Sequence, residues 1–419
     1  MRVLHIVGGR LKGGAARGAL YLHNALLSLS IDSYLICPDP NAEGDGIISL
    51  AGSPYGWLTS RLRSKCELLP ARLYPSRRNG LFSPGLSGMS WSYRGEYQAA
   101  DIIHLHWING GMVSISGLAQ IDKPCVWTMR DMWAFTGGCH YARDCQKYLA
   151  ACGACPALGS RHEHDLSQWV FRKKAKHYPR RITMVGISSW ISERARSSPL
   201  LRGNDIRTIM NCIDTNRFVP LDKAEARERL GLPRDRLILL HGNVGDHYKG
   251  GALLEQAKSY LPGEIYICDF GNKASDDGIR SDRSFGISED DEFLRTLYCA
   301  ADVLVFPSTQ EAFGKVVAEA LSCGTPAVVF AGTGPAEIVQ HKVTGYVAMP
   351  FDPAELANGV QWLLADRPRL VEIAGNAAED ARRRFSPVTA AREYLDLYRE
   401  KLGVQSRRTS RLARVSQVS

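Results

Sequence analysis

Two glutamates, Glu311 and Glu319, bracket a segment whose residue types suit the binding of a phosphorylated ligand: Pro307-Ser308-Thr309-Gln310-Glu311-Ala312-Phe313-Gly314-Lys315-Val316-Val317-Ala318-Glu319. The apolar run Val303 to Phe306 before it predicts a strand, and a helix is expected to begin near Gly314. Free backbone N–H groups at such a helix start favour a bound phosphate. Glu319, further inside the helix, is then placed for ribose hydroxyls, and Glu311 for the group beyond the phosphates. By spacing alone, two solvated glutamates on a surface helix are the commoner meaning. The loop, the glycine and the trailing Cys323-Gly324-Thr325-Pro326-Ala327-Val328-Val329 run favour a site.

The segment resembles the E-x7-E signature of retaining nucleotide-sugar glycosyltransferases of the GT-B fold, a family that builds bacterial polysaccharides and glycolipids. The resemblance runs from the first loop to the final helix. It implies transfer of a hexose from a nucleoside diphosphate sugar to an acceptor hydroxyl with the anomeric configuration kept. Glu311 is thereby assigned to donor-sugar hydroxyls and Glu319 to the ribose, with Phe313, Gly314 and Lys315 also on the donor. Lys249, in His241-Gly242-Asn243-Val244-Gly245-Asp246-His247-Tyr248-Lys249-Gly250, matches the lysine of the family's diphosphate clamp. The companion arginine is missing: Asn243 or Tyr248 stands where relatives often carry it, and a neutral group gives no charge-assisted bond.

Gly13 and Gly14 look like the family's flexible loop, where amides approach donor phosphates without a Cβ clash. Gly286 and Ile287, beside Phe285, are expected to read the nucleobase through backbone groups. Asp101-Ile102-Ile103-His104-Leu105-His106 is similar to the family's D-x-x-H-x-H strand end. Alternation puts both histidines on one side of the strand, and the resemblance assigns His106, with Glu311 and Lys249, to the reaction centre. Arg130-Asp131-Met132-Trp133-Ala134-Phe135-Thr136-Gly137-Gly138-Cys139-His140-Tyr141 resembles a subgroup motif that usually opens with histidine. Asp131 and His140 are expected at the acceptor entrance. The departing phosphate oxygen is the implied base. No metal is required for donor binding, and Asp290-Asp291 reads as a helix cap.

Cys139-x5-Cys145-x6-Cys152-x2-Cys155 is a further constellation. Four thiolates ending in a C-x2-C pair suit a structural zinc site, and an iron–sulfur cluster or free or reversibly paired thiols are the alternatives. The chain has eleven cysteines, an odd number spread along its length, which argues against a disulfide framework.

These groups need two scaffolds. Short apolar runs alternate with helical stretches in both halves, the pattern of parallel sheets covered by helices. Strands are expected at Val3–Val7, Ser33–Cys37, Ile102–His106, Cys125–Met129 and Thr183–Ile187, then at Leu237–His241, Ile265–Asp269, Val303–Phe306 and Ala327–Phe330. Helices fit 15–30, 250–260, 289–300, 314–323, 353–365 and 387–402. The expected architecture is two Rossmann-like doubly wound domains facing a cleft. Residues 1–210 form the acceptor-binding domain, 211–222 a linker and 223–386 the nucleotide-sugar domain. Residues 387–402 form a helix crossing back to the first domain, and 403–419 a disordered basic tail.

The 419 residues carry 52 basic and 43 acidic side chains, a net charge of +9 that suits an anionic partner. The nucleoside diphosphate sugar (UDP or GDP) is one such partner. An anionic membrane face is another, through two basic, aromatic stretches: Trp57 to Arg78, with Arg61, Arg63, Lys65, Arg72 and Arg77, and Trp169 to Arg181. The acceptor is expected to be a glycan or a lipid-linked oligosaccharide of surface polysaccharide biosynthesis. No nucleic-acid recognition motif accompanies the charge. No run approaches the roughly 18 apolar residues of a spanning helix, and the first residues are too soon broken by glycine for a signal peptide. The expected location is cytoplasmic, peripheral on the inner face of the plasma membrane. The rival to an active transferase is a catalytically impaired nucleotide-sugar-binding protein of the same fold, for which the missing arginine and Arg130 speak.

Overall fold

The structure, a computed structural model, describes residues 1–78, 80–242, 247–271 and 280–404. Asn243 and the basic tail from residue 405 onward lie outside the described residues. Thirteen described strands form two sheets, and every pairing between them is parallel. The strand interiors are almost wholly buried, as near-continuous apolar runs must be when helices cover both faces of a sheet.

The chain divides into two compact units. The first comprises Met1–Gly186, Ser192–Ile209 and Val388–Ser419; the second comprises Ile187–Ile191 and Met210–Pro387. The first unit holds β1 (Arg2–Ile6), β2 (Asp32–Cys37), β3 (Ile47–Ser49), β4 (Ile102–Leu105), β5 (Cys125–Met129), β6 (Thr183–Gly186) and β7 (Ile206–Thr208), in the order β3-β2-β1-β4-β5-β6-β7. The order reverses between β1 and β4. In such sheets ligands bind outside the carboxyl ends of the strands at this switch point. The loops leaving β1 and β4 touch there: Gly8 N–H donates to the Trp107 carbonyl, and a Cβ on Gly8 would stand 2.5 Å from the Asn109 carbonyl oxygen.

One face of this sheet is covered by the C-terminal helix Pro387–Lys401, together with Leu22, Ala25 and Leu26 of the helix Gly14–Ser28. Ala391, Tyr394, Leu395 and Tyr398 pack on Val3, Ile102, Val126 and Val185, one inward residue from each of four central strands. The last helix therefore completes the core of the unit in which the chain begins.

The second unit holds β8 (Ile238–Gly242), β9 (Tyr266–Phe270), β10 (Arg283–Ser284), β11 (Val303–Phe306), β12 (Ala327–Phe330) and β13 (Gly345–Ala348), in the order β10-β9-β8-β11-β12-β13. Its switch point lies between β8 and β11. The helices Gly251–Ala257 and Pro353–Leu364 close one face through Leu254, Leu356, Val360 and Leu363. An 18-residue helix, Arg367–Arg384, is absent from the expectations above. It buries mainly alanines (Ala377, Ala378 and Ala381) with Ile373, so its apolar stripe is weak in the sequence. Asp290 caps the helix Asp291–Ala300, its carboxylate accepting from the Glu292 and Phe293 amides, as its position suggested.

Candidate functional site

The residues that could hold a donor converge at the second unit's switch point. Beyond β8, Lys249 ends a short turn, and Gly250 takes a left-handed conformation at φ +74°. A Cβ there would lie 2.0 Å from the Pro307 carbonyl oxygen, so only glycine lets the chain pass the end of β11 so closely. The two loops are stitched together: Thr309 N–H and Ser308 Oγ both donate to the Tyr248 carbonyl, at 2.8 and 3.1 Å.

From the other side, Gly334 N–H donates to the Glu311 carbonyl at 2.9 Å, and Ser188 Oγ donates to that of Ala312. The result is a contact between residues 62 positions apart: Lys249 Nζ to Glu311 Oε2, 2.7 Å. Both side chains keep some access to solvent, 20% and 14%. An ammonium carries three donors, so Lys249 can hold Glu311 and still offer hydrogen bonds to an anion.

Immediately after Glu311, Gly314 (φ +94°) opens the helix Lys315–Ser322 with no side-chain cap on its first amides. Amides at a helix start without a side-chain cap can bind an anion, and this one follows three residues after the Glu311 that Lys249 holds. Phe313 is buried against Phe385. Glu319 is also buried, at 1% exposure: Oε2 accepts from Tyr298 OH at 3.1 Å and Oε1 faces Lys315 Nζ at 2.9 Å. It can take a ligand hydroxyl only if one of these partners moves. Gly286 (φ +66°) accepts from the Gly271 amide at 2.7 Å, and Ile287 next to it is 70% exposed.

In the first unit, register decides the site. His5 on β1 pairs with His104 on β4, and His106 follows two residues on, so three imidazoles share one face of the sheet. Their ligand-capable nitrogens lie within 4.8 Å of one another. His104 is saturated: Nδ1 meets Tyr398 OH at 2.5 Å and Nε2 meets Thr128 Oγ1 at 2.7 Å, which in turn bonds Tyr394 OH at 2.7 Å. Arg130 approaches His106 Nδ1 at 3.3 Å, and His106 Nε2 meets His5 Nδ1 at 2.9 Å.

A guanidinium can only donate, so the network assigns the proton of His106 to Nε2, where it is donated to His5. Burial holds all three histidines well below the ordinary imidazole pKa. The neighbouring imidazoles and Arg130 push those of His5 and His106 further down, and Arg130 alone does so for His104. His106, expected at the reaction centre, is thus 1% exposed with both ring nitrogens engaged.

Asp131 and His140 do come together, His140 Nδ1 to Asp131 Oδ2 at 2.7 Å, with Ser83 Oγ at 3.0 Å from the other ring nitrogen. His106, Trp107, Arg130 and Asp131 line a common small hollow. Gly13 caps the helix Gly14–Ser28 in extended conformation and offers no side chain to its amides; space is open around Gly14. The partners that the sequence did not disclose are His5, Tyr394, Tyr398, Tyr298 and Lys174. The spacing of His5 within Val3-Leu4-His5-Ile6-Val7 matched the inward histidines of β4, and that was the one available signal.

Residues 272–382 match the family model described as glycosyl transferases group 1. Among curated relatives, a D-inositol 3-phosphate glycosyltransferase of Xylanimonas cellulosilytica is 33% identical over 228 residues, which is 49% of this chain and 54% of that protein. The chain spans about half the length of the curated relatives it matches. Among solved structures, a sucrose-phosphate synthase from Thermosynechococcus elongatus aligns with a TM-score of 0.68 at 21% identity, over 97% of this chain and 100% of that one. Anabaena HepE, solved in complex with UDP-glucose, aligns with a TM-score of 0.61 at 18% identity, over 97% and 100%. The two parallel sheets are thus those of the GT-B fold, and residues 272–382 carry the likeness to glycosyl transferases group 1.

Proposed function

We propose that this protein transfers a hexose from a nucleoside diphosphate sugar to an acceptor hydroxyl with retention, acting on a lipid-linked oligosaccharide in surface polysaccharide biosynthesis. The observation that carries the reading is the Lys249–Glu311 contact beside the uncapped helix start at Gly314. A diphosphate there meets the ammonium and the amides, and it competes with Glu311 for Lys249. Glu311, released in part, accepts hydrogen bonds from the sugar hydroxyls. Glu319 takes the ribose, with Lys315 giving way. HepE, described in complex with UDP and glucose, supports a uridine nucleotide as the first donor to test.

In the reaction the anomeric C–O bond breaks and its electron pair leaves on the diphosphate oxygen. The acceptor oxygen bonds the anomeric carbon on the same face, and its proton passes to that departing oxygen. Stabilising the leaving charge by Lys249 and the helix amides is the protein's main contribution, and the backbone amides supply their share without reorganising.

Thermal unfolding with UDP, GDP, UDP-glucose and GDP-mannose, followed by sugar release and transfer assays, tests the reading. One nucleotide series should raise the midpoint by a few degrees at about 100 times its Kd, where binding adds about 2.7 kcal/mol. Transfer should follow in the same series. Binding without any hydrolysis or transfer would instead identify the impaired binding protein.

A membrane-bound acceptor is supported by the helix Pro54–Arg72. Tyr55, Leu58, Leu62 and Leu69 project from one stripe of it, continued by Leu73, and each is about half exposed or more. Exposed Arg61, Lys65 and Arg72 flank that stripe, while Ser60, Glu67 and Ala71 face inward. Such a face suits an anionic bilayer surface, and no described helix is long and apolar enough to cross one. The second basic stretch contributes less than its sequence suggested, because Lys174 and Phe171 are buried. Co-sedimentation with anionic vesicles, lost in neutral ones and in a Leu58→Glu/Leu62→Glu variant with unchanged donor binding, is the expected outcome. Equal partition to both lipids would remove the membrane from the proposal.

A further inference from the structure

We infer that Cys139, Cys145, Cys152 and Cys155 bind one zinc ion that fastens the segment between β5 and the helix Leu166–His177. All four cysteines line one small hollow of about 20 Å³, room for an atom-sized occupant, walled also by Phe82 and Tyr148. They are free thiols drawn from 17 consecutive residues.

The segment around them needs a fastener. From Thr136 to Asp165 the chain has no helix or strand beyond single turns at Lys147–Leu149 and Pro156–Leu158. Irregular stretches of that length are uncommon inside a compact unit unless something holds them. This one is ordered and bent sharply: Cys152, Gly153 and Ala154 are all left-handed, at φ +56°, +107° and +40°. Two of the three are not glycine, and such positions persist only where their surroundings over-determine them. The turn is held by bonds into the following helix start, Cys155 N–H to Asp165 Oδ2 at 2.7 Å and Gly153 N–H to Ser167 Oγ at 3.0 Å. This presents the C-x2-C pair to the hollow in a fixed form.

A second observation is electrostatic. Lys174, fully buried, donates to the Trp133 and Thr136 carbonyls and lies 3.5 Å above the Trp133 ring. Burial pushes the Lys174 ammonium down to about 7, and Cys139, Cys152 and then Asp131 act in the opposite direction. Four neutral thiols leave Asp131 as the acidic group acting on this buried ammonium. Four thiolates around Zn²⁺ carry a net charge of about −2, the sign and place that Lys174 calls for.

No three of the sulfurs stand within 4.8 Å of one another, against an edge of about 3.8 Å in a tetrahedral zinc–thiolate set. Metal binding therefore draws the thiols inward by side-chain rotation and releases their protons to solvent. Tetrahedral sulfur sites also suit iron–sulfur clusters, and the test separates the two.

The inference does not depend on the transferase reading. The full chain, purified without metal-affinity resin, should contain about one zinc per molecule by elemental analysis. Exchange for Co²⁺ should give the thiolate-to-cobalt charge-transfer band and strong d–d bands of a tetrahedral site. The Cys152→Ser/Cys155→Ser variant should lose both the metal and protection of this segment from protease. Less than about 0.2 zinc per chain after growth with added zinc would overturn the site, since structural zinc binds far more tightly than that. So would two disulfides found by mass spectrometry, or visible iron–sulfur absorption. The wild-type metal content decides the matter even if the variant does not fold.

Discussion

Glu311→Gln is expected to lower the turnover of the proposed sugar transfer by about 10²–10³-fold, as loss of one preorganised polar contact can, with the chain still folded. The substitution keeps the side chain's shape and removes its charge. In the unliganded protein that charge faces Lys249 at 2.7 Å, in a pair 14–20% exposed. A pair so accessible contributes on the order of 1 kcal/mol or less to stability, so unfolding midpoints should move by only a few degrees. Donor binding should change little, because the weakened contact to the sugar hydroxyls is offset by a Lys249 freed for the diphosphate. The diagnostic result is therefore a fall in kcat with little change in KM for donor. Near-native transfer would remove Glu311 from the reaction, and a collapse of donor binding with kcat intact would reassign it to ground-state recognition.

Acid should destabilise the first unit well before its carboxylates titrate. His5, His104 and His106 are wholly buried and neutral in the fold, their pKa values held well below 6.5 by burial first and by neighbouring imidazoles or Arg130 next. The unfolded chain takes up protons at these residues as pH falls through 6.5, and the folded chain does not. Stability is thus fully present above about pH 7.5 and declines below 6.5, by up to about 1.4 kcal/mol per pH unit for each imidazole, or about 4 for the three together. His23 and His241 are lowered in the same way and act in the same direction. Urea midpoints at pH 7.5, 6.5 and 5.5 check this, and a His104→Gln variant, though less stable, should show a shallower slope. Midpoints that stay level from pH 7.5 to 5.5 would show that the imidazoles are solvated or charged in the native state.

The central strands were legible because a strand covered on both faces is a continuous apolar run. Cys125–Met129, Val303–Phe306 and Ala327–Phe330 match residue for residue. The edge strands Ile47–Ser49, Ile206–Thr208, Arg283–Ser284 and Gly345–Ala348 were not seen, since two to four residues take their extended form from a neighbour rather than from any pattern of their own. The helix Pro54–Arg72 was read only as a basic, aromatic stretch. Its exposed leucines and its interior Pro70 hide the inward side, which is little more than Ser60, Glu67 and Ala71.

The same division runs through the site. Residue types and short spacings named Glu311, Glu319 and the four cysteines, the family resemblance added Lys249 and His106, and alternation put His104 and His106 on one face. Those are local facts, carried by a few neighbouring positions along the chain. Which groups meet was decided elsewhere: His5 beside His106 across 101 positions, Lys249 on Glu311 across 62, and Tyr398 on His104 across 294. Parallel strands are joined through long crossovers, so their order and register follow from how whole helices pack and not from any nearby residue. Only the assembled sheets could show that Glu319 is closed in by Lys315 and Tyr298, or that a buried lysine stands behind the cysteines.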